Sequence, residues 1–309
     1  MTDANNSKTT TLFVVALVTA LLYYIQKDVR HQTTAIIKAH NLFTQPHTQT
    51  SLPLCPQSKY EGGVFFSQYY EDYILSHIFK DVPQGVYIDI GAAHPTHNNT
   101  TYHFYKNGWR GISIDPIPAF INMYKNKRPG DLFINIGISD EESTLTFYHC
   151  GDDCELGTFD KKGAKRHEEK GGVVFTKKSI PVKTITQVLI EYPQKHLHFA
   201  NVDVEGWEKN VLKSFDFNKN RPEIFVIEST KPISEETNYE HWESYLTQNG
   251  YLFAMTDYLN RYYIDLSSKN LKKYLQRFSF IDMCVRQSKI GTNIRPTSWG
   301  TDLISRPQD

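Results

Sequence analysis

Residues 87–118 read YIDIGAAHPTHNNTTYHFYKNGWRGISIDPIP. The stretch begins inside a β-rich run, VYIDI at 86–90, which Gly91 stops. Residues 99–106 then carry a helical pattern, with Asn98 or Asn99 expected as its N-cap. GISID at 111–115 is a second short apolar run, closed by an acid and a proline. Strand, helix and strand in so short a span predict a βαβ unit and a parallel strand pair.

The alternation continues outward. Residues 118–126 suit a helix, and LFINI at 132–136 a third strand. Residues 184–191 read as helix, HFANVDV at 198–204 as a fourth strand and 208–215 as the helix after it. EIFVI at 223–227 is a fifth strand, 239–249 a helix, and 251–254 with 261–264 a final strand pair. Residues 144–148 alternate apolar and polar and predict one arm of an antiparallel hairpin. The whole predicts an α/β fold, doubly wound around a mostly parallel sheet covered on both faces. Ligands in such sheets bind beyond the carboxyl ends of the strands.

The chain has 309 residues, 39% of them apolar and 13% aromatic, enough for a sizeable core and against a disordered chain. Lys+Arg and Asp+Glu are both 34, so the basic excess of a general nucleic-acid binder is missing and no nucleic acid is expected as partner. Four cysteines are too few to build a fold from disulfides. Cys150 and Cys154, beside His149, are compatible with a loop disulfide, with two thiols, or with a zinc site that lacks a second close pair.

Residues 1–8 are polar, and 9–25, TTTLFVVALVTALLYYI, carry no charge. No small-x-small cleavage site follows, so the segment reads as a single transmembrane anchor. Lys27, Arg30 and Lys38 follow it against Lys8 before, which puts the body on the cytoplasmic side of the membrane. Residues 26–59 read as a stalk, 60–268 as the folded body, and 269–309 as a C-terminal helix (271–278) with a polar tail. Residues 161–178, with seven Lys/Arg and two Glu, read as a solvated insertion loop, or as a contact for an anionic glycan or membrane surface.

The strand ends carry the chemistry. Asp89-x-Gly91 permits a tight turn close to a ligand, but without G-x-G-x-x-G the nest for a dinucleotide pyrophosphate is missing, which weighs against NAD and FAD. Asp115 suits a ribose diol, or simply a turn before Pro116. Together the two acids favour a ribose-bearing cofactor. Ile138 is placed to flank a base and Ser139 or Asp140 to hydrogen-bond it, with an ordinary turn as the alternative. Asp203, Glu205 and Glu208 are three carboxylates in six residues. Asp203 and Glu205 would share one side of an extended strand, Glu208 suits a helix N-terminus, and Glu228 ends the next strand on the same rim. Such carboxylates hold one another's protons or bind a cation.

FSQYYEDYIL (66–75), the 87–118 stretch, NVDVEGWEKNVLKS (201–214), RPEIFVIE (221–228) and GYLFAMTDYLNRYYI (250–264), in that order and spacing, resemble the FkbM-type S-adenosylmethionine-dependent methyltransferases. The resemblance implies the class I methyltransferase sheet of seven strands, the last antiparallel. It implies methylation of oxygen, on hydroxyls of sugars or of secondary metabolites. Asp89, Gly91 and Ala92 would line the methionine and ribose part of S-adenosyl-L-methionine, Asp115 the ribose hydroxyls, and Ser139 or Asp140 the adenine. Ser67 and Gln68 match the family's leading pair and would cover the amino-acid end. Ala93-His94-Pro95 replaces the more usual small polar stretch, as in branches of the family that act on surface glycans. The expectation is therefore a membrane-anchored O-methyltransferase of a glycan or glycolipid hydroxyl. The alternatives are a small-molecule O-methyltransferase and an inactive binding protein on the same fold. Since methyl leaves a sulfonium, positioning contributes most, and a base takes the hydroxyl proton. Asp203 and Glu205 are the first candidates for that base and His94 the next. No metal is expected, with a divalent ion on Asp203, Glu205 and Glu228 as the lesser option.

Overall fold

The computed structural model describes residues 65–288, apart from residues 153, 233 and 235. The chain divides into two units, Met1–Pro53 and Leu54–Asp309, and every described residue belongs to the second. The expected anchor (9–25), the stalk (26–59) and the polar tail past residue 288 lie outside the described residues. Among the described residues no helix is long and apolar enough to cross a membrane.

The main sheet has seven strands in the order β3-β2-β1-β7-β8-β10-β9. Here β1 is Val86–Ile90, β2 Arg110–Ile114, β3 Leu132–Ile134, β7 Phe199–Val202, β8 Ile224–Glu228, β9 Tyr251–Thr256 and β10 Asn260–Asp265. The first five run parallel, and β10 lies antiparallel between β8 and β9. This is a mixed, mostly parallel α/β sheet with the expected antiparallel last strand. Every residue of β7 and β8 is buried, as central strands with both faces covered require. One face packs Ile88, Ile90, Ile112 and Val202 against Val188 of α5 (Ile185–Glu191) and Val211 and Leu212 of α6 (Glu208–Lys213). On the other face Phe199 meets the rings of Phe79, Phe104 and Trp109. Phe199 is fully buried, a burial that contributes about 2–3 kcal/mol.

Several expectations change. The helix after β1 is shorter, α2 (Tyr102–Lys106), and Thr101 stands at its N-cap. Asn99 is used elsewhere: its Oδ1 accepts from Thr101 N–H at 3.0 Å, and its Nδ2 donates to the Ala92 and His94 carbonyls. The run expected at 132–136 is strand only over β3 (Leu132–Ile134), and a separate short strand, β4 (Gly137–Ile138), pairs outside the main sheet. The expected helix at 239–249 breaks at the buried Trp242 into a 3-10 turn, Tyr239–His241, and α7 (Glu243–Gln248). The strand at 144–148 is β5 (Ser143–His149), which pairs antiparallel with β6 (Thr176–Lys183) across a long excursion, not a hairpin turn. That excursion replaces the expected loop at 161–178. Lys161–Gly171 is helix α4, because the Asp160 carboxylate accepts the N–H groups of Lys162 and Gly163 at 3.1 and 2.8 Å. Its lysines face solvent while Gly163, Ala164 and His167 are buried. Cys150 and Cys154, in the same excursion, form a disulfide.

The C-terminal helix α8 runs Leu271–Ser288, longer than its sequence pattern. Tyr274, Leu275, Phe278 and Ile281 are buried, and Arg277 donates to the Ile78 carbonyl at the end of α1 (Glu71–Ile78) and pairs with Asp81. The helix is therefore part of the folded body.

Candidate active site

Strand register assembles the site. Ile90 pairs with Ile114 and with Val202, and Val202 pairs with Ile227. One residue further along each strand lie Asp115, Gly91, Asp203 and Glu228, so four neighbouring carboxyl ends present four chemically loaded positions in a row. At Gly91 the chain turns with φ +79°, and a Cβ there would lie 1.7 Å from the Asp203 carbonyl oxygen. Only glycine permits that approach.

A cleft opens at this row. Its walls include Gly91, Asp115, Ile117, Ile138, Phe159 and Trp207. Asp115 is 5% exposed, and its carboxylate oxygens accept from Ala93 N–H at 3.0 Å and Ile117 N–H at 2.8 Å. Burial raises its pKa to about 7 against those two hydrogen bonds. Each oxygen keeps a lone pair for a hydroxyl donor. Trp207 carries a buried indole N–H without a hydrogen-bond partner. Apolar side chains and the Asp115 carboxylate thus share the walls of the cleft.

Asp89 is turned away from the cleft. It is buried, with Oδ2 accepting from Thr101 Oγ1 at 2.7 Å and Oδ1 from Asn201 Nδ2 at 3.0 Å. Ala92 is buried beneath the loop. Gly137 and Ile138 line the cleft, whereas Ser139 and Asp140 sit just beyond. Ser139 donates to Asp140 at 3.1 Å, and Asp140 also accepts from Asn210 at 3.2 Å. Ser67 donates to Asp72 at 2.5 Å across the start of α1, and Gln68 is exposed. The His94 Nδ1 accepts the N–H groups of Thr96 and His97 at 3.2 and 3.1 Å, which puts the proton of a neutral ring on Nε2.

On the other side of Gly91, one carboxylate oxygen each from Asp203, Glu205 and Glu228 lie within 4.8 Å of one another. The expected extended strand does not bring them together, because β7 ends at Val202. Glu205 instead adopts a left-handed conformation, φ +54°, followed by Gly206 at φ +101°, and this turn returns its carboxylate to the group. Burial, then Glu205 and Glu208, drives the Asp203 carboxyl well above the ordinary range. Burial, then Asp203, does the same to Glu228. Glu208 closes the helix start, accepting from Gly206 N–H at 2.9 Å, and burial raises it to about 7.

Two contributors had no signal in the sequence. The β5–α4 excursion supplies Glu155, Gly157, Thr158 and Phe159 to the cleft wall. His167 of α4, 1% exposed, places Nε2 3.0 Å from Glu205 Oε2, and Thr158 Oγ1 donates to the Glu205 carbonyl at 3.0 Å. Both lie far from the strand ends along the chain, and only the folding of the insertion over the sheet brings them there.

A mostly parallel seven-stranded sheet with this strand order and a cleft at its carboxyl ends fits a methyltransferase fold. The family model "Methyltransferase FkbM domain" matches residues 89–253, more than half of the chain, and the chain belongs to that family of methyltransferases. No curated protein and no solved structure matches the chain.

Proposed function

We propose that the chain is an S-adenosylmethionine-dependent O-methyltransferase acting on a sugar hydroxyl in a glycan or glycolipid. The observation that carries the cofactor is Asp115, whose two oxygens are each held by one backbone N–H and which lines the cleft beside Ile117 and Ile138. When bound, S-adenosylmethionine supplies an electrophilic methyl group on a sulfonium. Asp115 would hold the ribose hydroxyls, Ile138 and Phe159 would enclose the base, and Gly91 leaves room for the chain to pass close. Asp203 and Glu205, on the rim next to Gly91, activate the acceptor hydroxyl. The sugar acceptor is supported by the Ala93-His94-Pro95 stretch and its likeness to glycan-directed branches of the family.

The test is titration calorimetry with S-adenosylmethionine, followed by mass spectrometry of cell-surface glycans with and without the gene. Binding and loss of a 14-dalton (~14 Da, one methylene) increment on a hexose are expected. A chain that binds no S-adenosylmethionine would sink the reading. Residues 9–25 are proposed as an anchor that leaves the body in the cytoplasm. Carbonate and high salt should leave the protein in the membrane pellet, and deletion of residues 1–26 should release it.

A further inference from the structure

Glu228 poses a problem that hydrogen bonds within the described residues do not solve. It is 6% exposed, and its Oε2 is buried with no hydrogen-bond partner. Asp203 follows β7 at the register position beside it, so the two acids face each other across a strand pair. The left-handed turn at Glu205 adds a third carboxylate, completing a set of three oxygens within 4.8 Å. Among the described residues no Lys or Arg forms an ion pair with any of the three, and Glu205 pairs only with His167. Three carboxylates held this close, one oxygen buried and unpartnered, are relieved by shared protons or by a cation between them, and the His167 ring reaches only Glu205.

The ligand set names the cation. All three ligands are hard oxygen donors, which suit magnesium or manganese and not zinc or copper. Three donors on one side leave positions open on the other. A second cluster in the same molecule shows what an unavailable set looks like. His196, His198 and Glu223 also lie within 4.8 Å of one another, before the amino-terminal ends of β7 and β8. There His198 Nδ1 accepts Val86 N–H at 3.0 Å, and Glu223 accepts from Ser268, Asn270 and Tyr274. His198 Nδ1 and both Glu223 oxygens are thus already hydrogen-bonded.

We infer that Asp203, Glu205 and Glu228 hold a hard divalent cation, magnesium or manganese, whose open positions take hydroxyl oxygens of the acceptor. The cation site stands on the geometry alone. Its use for the acceptor rests on the methyl-transfer reading, and means that these carboxylates act on the hydroxyl through the metal. A vicinal diol, which offers two oxygens to one ion, is the acceptor chemistry that fits.

The full chain, without cofactor, is titrated with manganese chloride while the electron paramagnetic resonance signal of free manganese is followed. One ion bound per chain is expected, displaced by magnesium. Glu228→Gln and Glu205→Gln should each weaken binding about tenfold or more. Circular dichroism checks that the variants are folded, and Glu205, on the turn, is the substitution that leaves the buried strand end intact. A folded chain that binds no manganese, or one whose affinity neither substitution changes, overturns the site. Titration of S-adenosylmethionine in the same samples separates the two readings. A chain that binds the cofactor but no manganese loses the metal and keeps the methyltransferase reading. A chain that binds manganese but no cofactor keeps the metal site and counts against that reading.

Discussion

Two clusters of buried charge flank Asp89, and they are built on opposite terms. Beneath the β1 loop, the Arg128 guanidinium, 1% exposed, donates to Asp131, to Asn99 Oδ1 at 3.0 Å, to Tyr87 Oη at 2.8 Å and to Thr101 Oγ1 at 3.0 Å. Thr101 passes the chain of donors on to Asp89. There the buried cation meets its acid, and each polar partner has a hydrogen bond. At the ends of β7 and β8, Asp203, Glu205 and Glu228 gather with no Lys or Arg paired to them among the described residues, and one oxygen of Glu228 has no partner. The first cluster holds the loop that carries Gly91 in place. The second is frustrated in isolation, which is the mark of a site that waits for something.

The contrast breaks most visibly at Arg128. Arg128→Met should cost about 3–5 kcal/mol of folding stability, because Asp131 would be left buried without its cation. Urea denaturation measures it. At the other cluster the same measurement should show the reverse: Glu228→Gln removes an acid whose ionised form burial and Asp203 oppose, and should leave stability unchanged or higher.

Activity should invert the order. Asp203→Asn should lower turnover by about 10²-fold once an acceptor is in hand, while leaving affinity for S-adenosylmethionine nearly unchanged. Full activity in this variant would remove Asp203 from the chemistry.

Asp115→Ala should weaken cofactor binding by about 1–3 kcal/mol, the range for hydrogen bonds to a charged group. Because burial holds Asp115 to about 7, affinity should also rise between pH 6 and pH 8 as the carboxylate ionises. Calorimetry at several pH values reads both effects.

The smallest effect is on stability against pH. Burial raises Glu208 and Asp257 to about 7 and Asp72 to about 6. Their folded pKa values lie above the unfolded ones near 4, so the folded chain binds more protons in between. Their contribution is complete below about pH 4 and is lost as pH rises to about 7. The cation-free chain should therefore melt at a higher temperature at pH 5 than at pH 8. Manganese should flatten that slope if it neutralises the neighbouring carboxylates.

The sequence by itself determined the sheet. Short runs such as VYIDI and EIFVI are too apolar to face water and too short for helices, and the helical stretches between them force parallel neighbours. It also marked Gly91, Asp115, Asp203 and Glu228, since residues at strand ends are addressed by chain position. Side-chain direction was not legible. Asp89 and Asp115 look alike in the sequence, yet Asp89 pairs in register with Asn201, whose amide binds it, while Asp115 faces the cleft. Nor was the β5–α4 excursion, because its lysine-rich pattern advertises only the face it shows to solvent. Tertiary structure alone decided that Asp160 caps a helix there, that His167 reaches Glu205, and that Phe159 walls the cleft. The physical reason is the same in each case: strand periodicity is written locally, whereas contacts between distant segments exist only after the sheet has set their register.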